Sequence, residues 1–115
     1  MQRLKKVEWV GSAKKDLADF PDEVKDEVGY ALYRAQEGKM SHKAKPMRGL
    51  GSGVIEIVSD YDTNTYRAVY VVNIGEKIYV LHCFQKKSKR GIETPKEDIN
   101  VIKQRLKWLK FELNQ

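Results

Sequence analysis

Tyr66-Arg67-Ala68-Val69-Tyr70-Val71-Val72-Asn73 is the stretch on which the fold turns. Aromatic and β-branched residues fill it, which suits a strand. Strand side chains alternate, so Tyr66, Ala68, Tyr70 and Val72 share one face and Arg67, Val69 and Val71 the other. Upstream, Val54–Ser59 reads as a strand, followed by the polar turn Asp60-Tyr61-Asp62-Thr63-Asn64. Downstream, Ile74-Gly75-Glu76-Lys77 leads into another strand, Ile78–Gln85. Connections this tight join antiparallel neighbours. Strict alternation in the last strand puts Ile78, Val80, His82 and Phe84 on one side and Tyr79, Leu81, Cys83 and Gln85 on the other.

Helical signals flank this meander. Lys6–Val10 alternates briefly and suits an edge strand. Ser12 suits an N-cap for a short helix over Ala13–Phe20. Pro21 then fits the first turn of a second helix, with Asp22 and Glu23 near its positive end. Val24, Val28, Ala31, Leu32 and Ala35 recur at about 3.6-residue spacing, and Gly38 ends the run. Residues 39–53 read as a basic loop broken by Pro46, Gly49, Gly51 and Gly53. A second basic loop, Lys86–Thr94, precedes the last helix. There Thr94 suits an N-cap, with Pro95 at the first helical position and Glu97 completing a capping box. Ile99, Ile102, Leu106, Leu109 and Leu113 form an apolar stripe suited to packing on the sheet. The expected order is strand–helix–helix–strand–strand–strand–helix, an α+β domain with a small, mostly antiparallel sheet. Two N-terminal helices and a C-terminal helix pack against it.

The chain has 115 residues, enough for a single domain spanning 1–115. With 41% hydrophobic and 33% charged residues it reads as a soluble globular protein. No run of about 18 apolar residues or signal-peptide pattern is visible, and the one cysteine, Cys83, has no disulfide partner. A reducing cytoplasm is the expected location. The net charge is +6, held in two segments: residues 39–55 are net +4 and residues 78–115 net +5. Converging in space, they would attract phosphates.

Gly49-Leu50-Gly51-Ser52-Gly53 lacks the Lys-Ser/Thr and following helix of a phosphate-binding loop. Two separate histidines make no metal site, and no metal or cofactor is expected. His42 suits an exposed loop; His82 suits a structural role as well as a catalytic one. The notable feature is a set of cations. Arg67 interrupts an apolar strand, where an unpaired charge is expensive to bury. A buried salt bridge to Glu56 is one account of it. The other is a functional site, with Lys86, Lys87, Lys89 and Arg90 after the last strand and Lys43, Lys45 and Arg48 before the first gathered at one open face. Such a site suits metal-independent RNA cleavage. A base takes the proton of the attacking 2′-OH, cations stabilise charge on the phosphate, and an acid protonates the leaving oxygen. Histidine, or a lysine whose pKa is lowered by neighbouring cations, can supply the proton transfers. Tyr66, Tyr70 or Phe84 could stack on a base, though core packing accounts for each as well.

Lys45-Pro46-Met47-Arg48-Gly49-Leu50-Gly51-Ser52-Gly53-Val54-Ile55-Glu56, Tyr66-Arg67-Ala68-Val69-Tyr70-Val71, and His82-Cys83-Phe84-Gln85-Lys86-Lys87-Ser88 with Thr94-Pro95 together resemble the RelE/ParE toxin superfamily, in its HigB-like, phage-related branch. The resemblance spans nearly the whole chain and implies a single RelE-like toxin domain. It also implies a toxin of a type II toxin–antitoxin system that cuts mRNA on the ribosome as an mRNA interferase. Its partners would be the ribosome, mRNA and a helix-turn-helix antitoxin encoded next door, with a heterotetramer as one arrangement. Position by position, Arg67 matches the phosphate-stabilising arginine. Lys86 and Lys87 match a lysine pair, His82 a histidine in the same strand, and Lys45 and Arg48 positions that hold the RNA backbone. Val58 departs from the pattern, since many relatives carry an arginine there. The superfamily also holds gyrase poisons, and a non-catalytic RNA- or protein-binding member is a further alternative.

Overall fold

A computed structural model describes residues 3–86 and 94–114. Its elements are β1 (Val7–Trp9), α1 (Ala13–Ala18), α2 (Asp22–Gln36), β2 (Ala44–Pro46), β3 (Val54–Tyr61), β4 (Asn64–Val71), β5 (Ile78–Lys86) and α3 (Lys96–Glu112). They build the expected α+β architecture around a five-stranded sheet ordered β1-β5-β4-β3-β2. All pairings are antiparallel except that of β1 with β5. β1 lies at an edge, as its short alternation suggested.

Three sequence expectations need correction. The segment 39–53 is not all loop: Ala44–Pro46 pairs with β3 and forms the other edge. Pro46 hides this in the sequence, yet an edge strand tolerates a residue without an N–H. α3 starts at Lys96, with Pro95 and not Thr94 at the N-cap. The Thr94 hydroxyl instead donates to the Glu56 carboxylate at 3.2 Å. Finally, β5 does not alternate strictly. Its register with β4 shifts between Val69 and Tyr70: Tyr70 opposes Val80, Val69 opposes His82, and Leu81 is the extra residue. A bulge of this kind moves every later side chain to the opposite face.

The sheet is covered on both sides. On one, Ile55, Ile57, Tyr66, Ala68, Tyr70, Ile78, Val80 and Cys83 pack with Val24, Val28, Ala31, Leu32 and Ala35 of α2 and Ala13 of α1. On the other, Val54, Val69, Val71, Tyr79, Leu81 and Phe84 pack with Ile102, Leu106 and Leu109 of α3. The apolar stripes of α2 and α3 thus both serve the core. Each fully buried Val or Ile contributes about 1.5–3 kcal/mol relative to exposure. Gly53, at the entrance to β3, has φ +81°, and a Cβ there would fall 2.4 Å from the Asn73 side chain.

Candidate functional site

The bulge decides what the α3 side of the sheet carries. Without the extra residue, His82, Phe84 and Lys86 would face the α1–α2 core. With it, three rows cross the sheet on the α3 side: Lys45–Glu56–Val69–His82, Val58–Arg67–Phe84, and Asp60–Thr65–Lys86. α3 covers the apolar part of this face. The remaining part holds the buried polar residues Glu56, Arg67, His82 and Lys86.

Arg67 donates from Nη1 to Glu56 Oε2 at 2.9 Å, and both side chains are almost fully buried. Nη1 also lies 3.3 Å from Thr94 Oγ1, so Thr94 accepts from the guanidinium while donating to the carboxylate. The salt-bridge account of Arg67 therefore holds. Its charge is compensated by Glu56, and its side chain is buried. Breaking such a pair leaves one buried charge uncompensated, at about 3–5 kcal/mol. Val58 is the cross-strand partner of Arg67.

His82 sits in a second polar group. Its Nε2 lies 2.8 Å from Asp98 Oδ1, and its Nδ1 lies 3.5 Å from Arg105 Nη1. Donation from Nε2–H to the carboxylate leaves Nδ1 as an acceptor toward Arg105. The ring also stacks on Phe84, with centroids 4.9 Å apart. His82 is thus held on two edges and one face. Arg105 explains why the bulge is tolerated. Leu81 lies outside the β4–β5 register, and Arg105 Nη1 donates to its carbonyl at 2.8 Å. Nη2 donates to the Ser12 hydroxyl, which itself donates to Asp16 and accepts no bond from the α1 backbone N–H groups. Gly11 makes room: at φ +57°, a Cβ there would fall 2.8 Å from the guanidinium.

The other expected residues divide. Lys86 ends β5, buried on the Arg67 side of the sheet. Lys45 is exposed on β2, directly across from Glu56. Lys43 turns away, with Nζ 3.8 Å from Glu27 of α2. Arg48 is exposed beside Gly49 and Leu50, which wall a cleft against α3. Lys87, Lys89 and Arg90 lie outside the described residues. No base-stacking platform forms from the aromatics: Tyr66 packs on Phe20 and Tyr70 is fully buried, while Phe84 covers His82. Burial pushes the pKa of the Tyr70 hydroxyl up to about 12 and that of the Cys83 thiol also to about 12, with Asp16 adding to the Cys83 shift.

Asp98 and Arg105 did not emerge from the sequence, and Thr94 emerged only as a helix cap and motif residue, not as a partner of Arg67. A signal was available for the first two. Asp98, Ile102, Arg105 and Leu109 step by four, three and four residues, so two charges share a helical stripe with core residues. Among the described residues, no group of three His, Cys, Asp or Glu side chains is placed to hold a metal ion.

Residues 15–107 match the family described as "Phage derived protein Gp49-like (DUF891)". The chain belongs to this family. Membership agrees with the phage-related, RelE-like resemblance carried by the three sequence motifs. Among solved structures, the Gp49-like chain is similar to one described as the toxin–antitoxin complex RelBE2 from Mycobacterium tuberculosis. The identity is 17% and the TM-score 0.49, covering 76% of this chain and 98% of that one. No curated protein matches the sequence. No helix among the described residues is long and apolar enough to cross a membrane.

Proposed function

We propose that this Gp49-like protein is the toxin of a toxin–antitoxin pair and a metal-independent, ribosome-dependent endoribonuclease that stops translation in the cytoplasm. The observation that carries this reading is the β5 bulge, which sets His82 and Lys86 on the face that holds Arg67. Arg67, steadied by Glu56 and Thr94, stabilises the charge that develops on the scissile phosphate. Lys86, with Lys87, handles protons at the attacking 2′-OH and the leaving oxygen. His82 holds Phe84 and the strand end in place. Lys45, Arg48, Lys89 and Arg90 attract the RNA backbone. Lys43, turned toward Glu27, is left out of that set. Its partner is a helix-turn-helix antitoxin from an adjacent gene. A single toxin domain over 1–115 accommodates all these roles.

A second reading has its own observation. The Arg67 charge is compensated by Glu56, and Val58 stands beside it where a further arginine would add charge. This favours a non-catalytic member kept for its regulatory complex. Induced expression separates the readings. The nuclease reading expects translation to stop first, with mRNA cut. Arrest of DNA replication first would indicate a gyrase-directed toxin, and unimpaired growth with folded protein would favour the non-catalytic member.

A further inference from the structure

The two basic segments of the sequence meet at a place that, Arg48 apart, the site residues above do not include. On α3, Lys96, Asn100, Lys103, Lys107 and Lys110 recur at four- and three-residue steps and so share one side of the helix. No acidic residue interrupts this row. Glu97, Asp98 and Glu112 lie off it, and Asp98 is engaged by His82. All four lysines are exposed, and none has an ion pair among the described residues. The row spans about 21 Å at about 1.5 Å per residue. Along it runs a cleft of about 330 Å³ lined by Lys103, Lys107 and Lys110 on one side and Gly49 and Leu50 on the other, with Leu106 between. Arg48 adjoins the far wall, and both Gly49 and Gly51 stand in open space. The Lys96 end of the row is two residues from Thr94, which touches Glu56 and Arg67.

We propose that this cleft, with Lys103, Lys107 and Lys110 on the α3 side and Arg48 on the other, is a track for the phosphodiester backbone of RNA. Successive cations at i, i+4 and i+7 stand about 5–6 Å apart and present point charges along a line, which suits a repeating anion. The floor of Leu50 and Leu106 gives bases or riboses an apolar surface without reading sequence. The row leads toward the Arg67 cluster, so a strand held there is directed to it. The identity of the anion rests on the proposed RNA-directed function; the cation track itself does not.

The test is fluorescence anisotropy of a labelled single-stranded RNA oligomer across a potassium chloride series, with cosedimentation on purified ribosomes as a second arm. Replacing Lys103, Lys107 and Lys110 together by glutamine should weaken binding at least about tenfold at low salt. It should also flatten the log K against log salt slope by about 2, at about 0.7 per cation for a single strand. Should the triple variant misfold, Lys107→Gln alone should flatten the slope by about 0.7. Weakening of either RNA supports the track, and the two arms tell free RNA from ribosomal RNA. Unchanged affinity and slope for both would overturn it. So would intact RNA binding with weakened capture of polyglutamate, which would mark a protein-docking face instead. A weakened variant beside a wild-type protein that cuts no RNA would leave the track standing and refute the nuclease reading.

Discussion

The two faces of the sheet are built from the same strands and differ in one respect. The face under α1 and α2 is apolar apart from Ser59, which donates to Glu27 of α2, with Ile57, Ala68, Ile78 and Val80 fully buried. The face under α3 is apolar only where Ile102, Leu106 and Leu109 reach it, and the rest holds Glu56, Arg67, His82 and Lys86. An apolar face is stabilised by area and tolerates exchange of similar volumes. A buried polar face is stabilised only if its members stay paired, so each loss is costly and each geometry is specific. The α3 side therefore carries polar groups that do least for stability, which is where the proposed function puts its site.

The contrast can be broken most severely at Arg67. Arg67→Ala leaves the Glu56 carboxylate buried and should destabilise the protein by about 3–5 kcal/mol in urea unfolding. Loss of toxicity in that variant alone would not separate chemistry from folding. Pairing Arg67→Met with Glu56→Leu should restore most of the stability without activity. Arg105→Ala removes the donor to the Leu81 carbonyl and should cost about 1.5–3 kcal/mol, with a β5 amide spectrum altered around the bulge. An unperturbed spectrum would detach Arg105 from the bulge.

The apolar face has its own weakness, at high pH. Cys83 and Tyr70 both lie on it, raised from 9.0 and 10.0 respectively to about 12. Below about pH 9 both groups are neutral in the folded and unfolded chains. Above it the unfolded chain releases protons that the folded one retains, so stability should fall as pH rises toward 12. The slope is at most about 1.4 kcal/mol per pH unit for each group. Cys83→Val should remove the earlier part of that fall. Within the same face, Ile57→Val should cost about 0.5–1.5 kcal/mol and leave activity per folded molecule unchanged. The smallest effect belongs to exposed Lys45. Lys45→Ala should leave the unfolding midpoint in place and reduce the RNA salt slope by about 0.7.

Most of the framework was legible in the sequence because it rests on periodicity. The α2 and α3 stripes, the three-stranded meander and the Gly38 terminus are local patterns, and each appears. The site was legible only as a list of cations. Its geometry depends on one extra residue at Leu81, and that residue is disguised, since Ile78–Gln85 alternates acceptably in either phase. What fixes the phase is Arg105, from a helix 24 residues on. Thr94 was misread for a similar reason. Its local pattern suits a capping box, but a buried carboxylate from β3 competes for the hydroxyl.

The decisive measurement is mapping of mRNA 5′ ends after induced expression, with the wild type compared against the folded Arg67→Met, Glu56→Leu protein. A nuclease acting through Arg67 gives new 5′ ends within translated mRNA for the wild type and none for the double variant. No new ends from the wild type, or the same ends from both proteins, would contradict it.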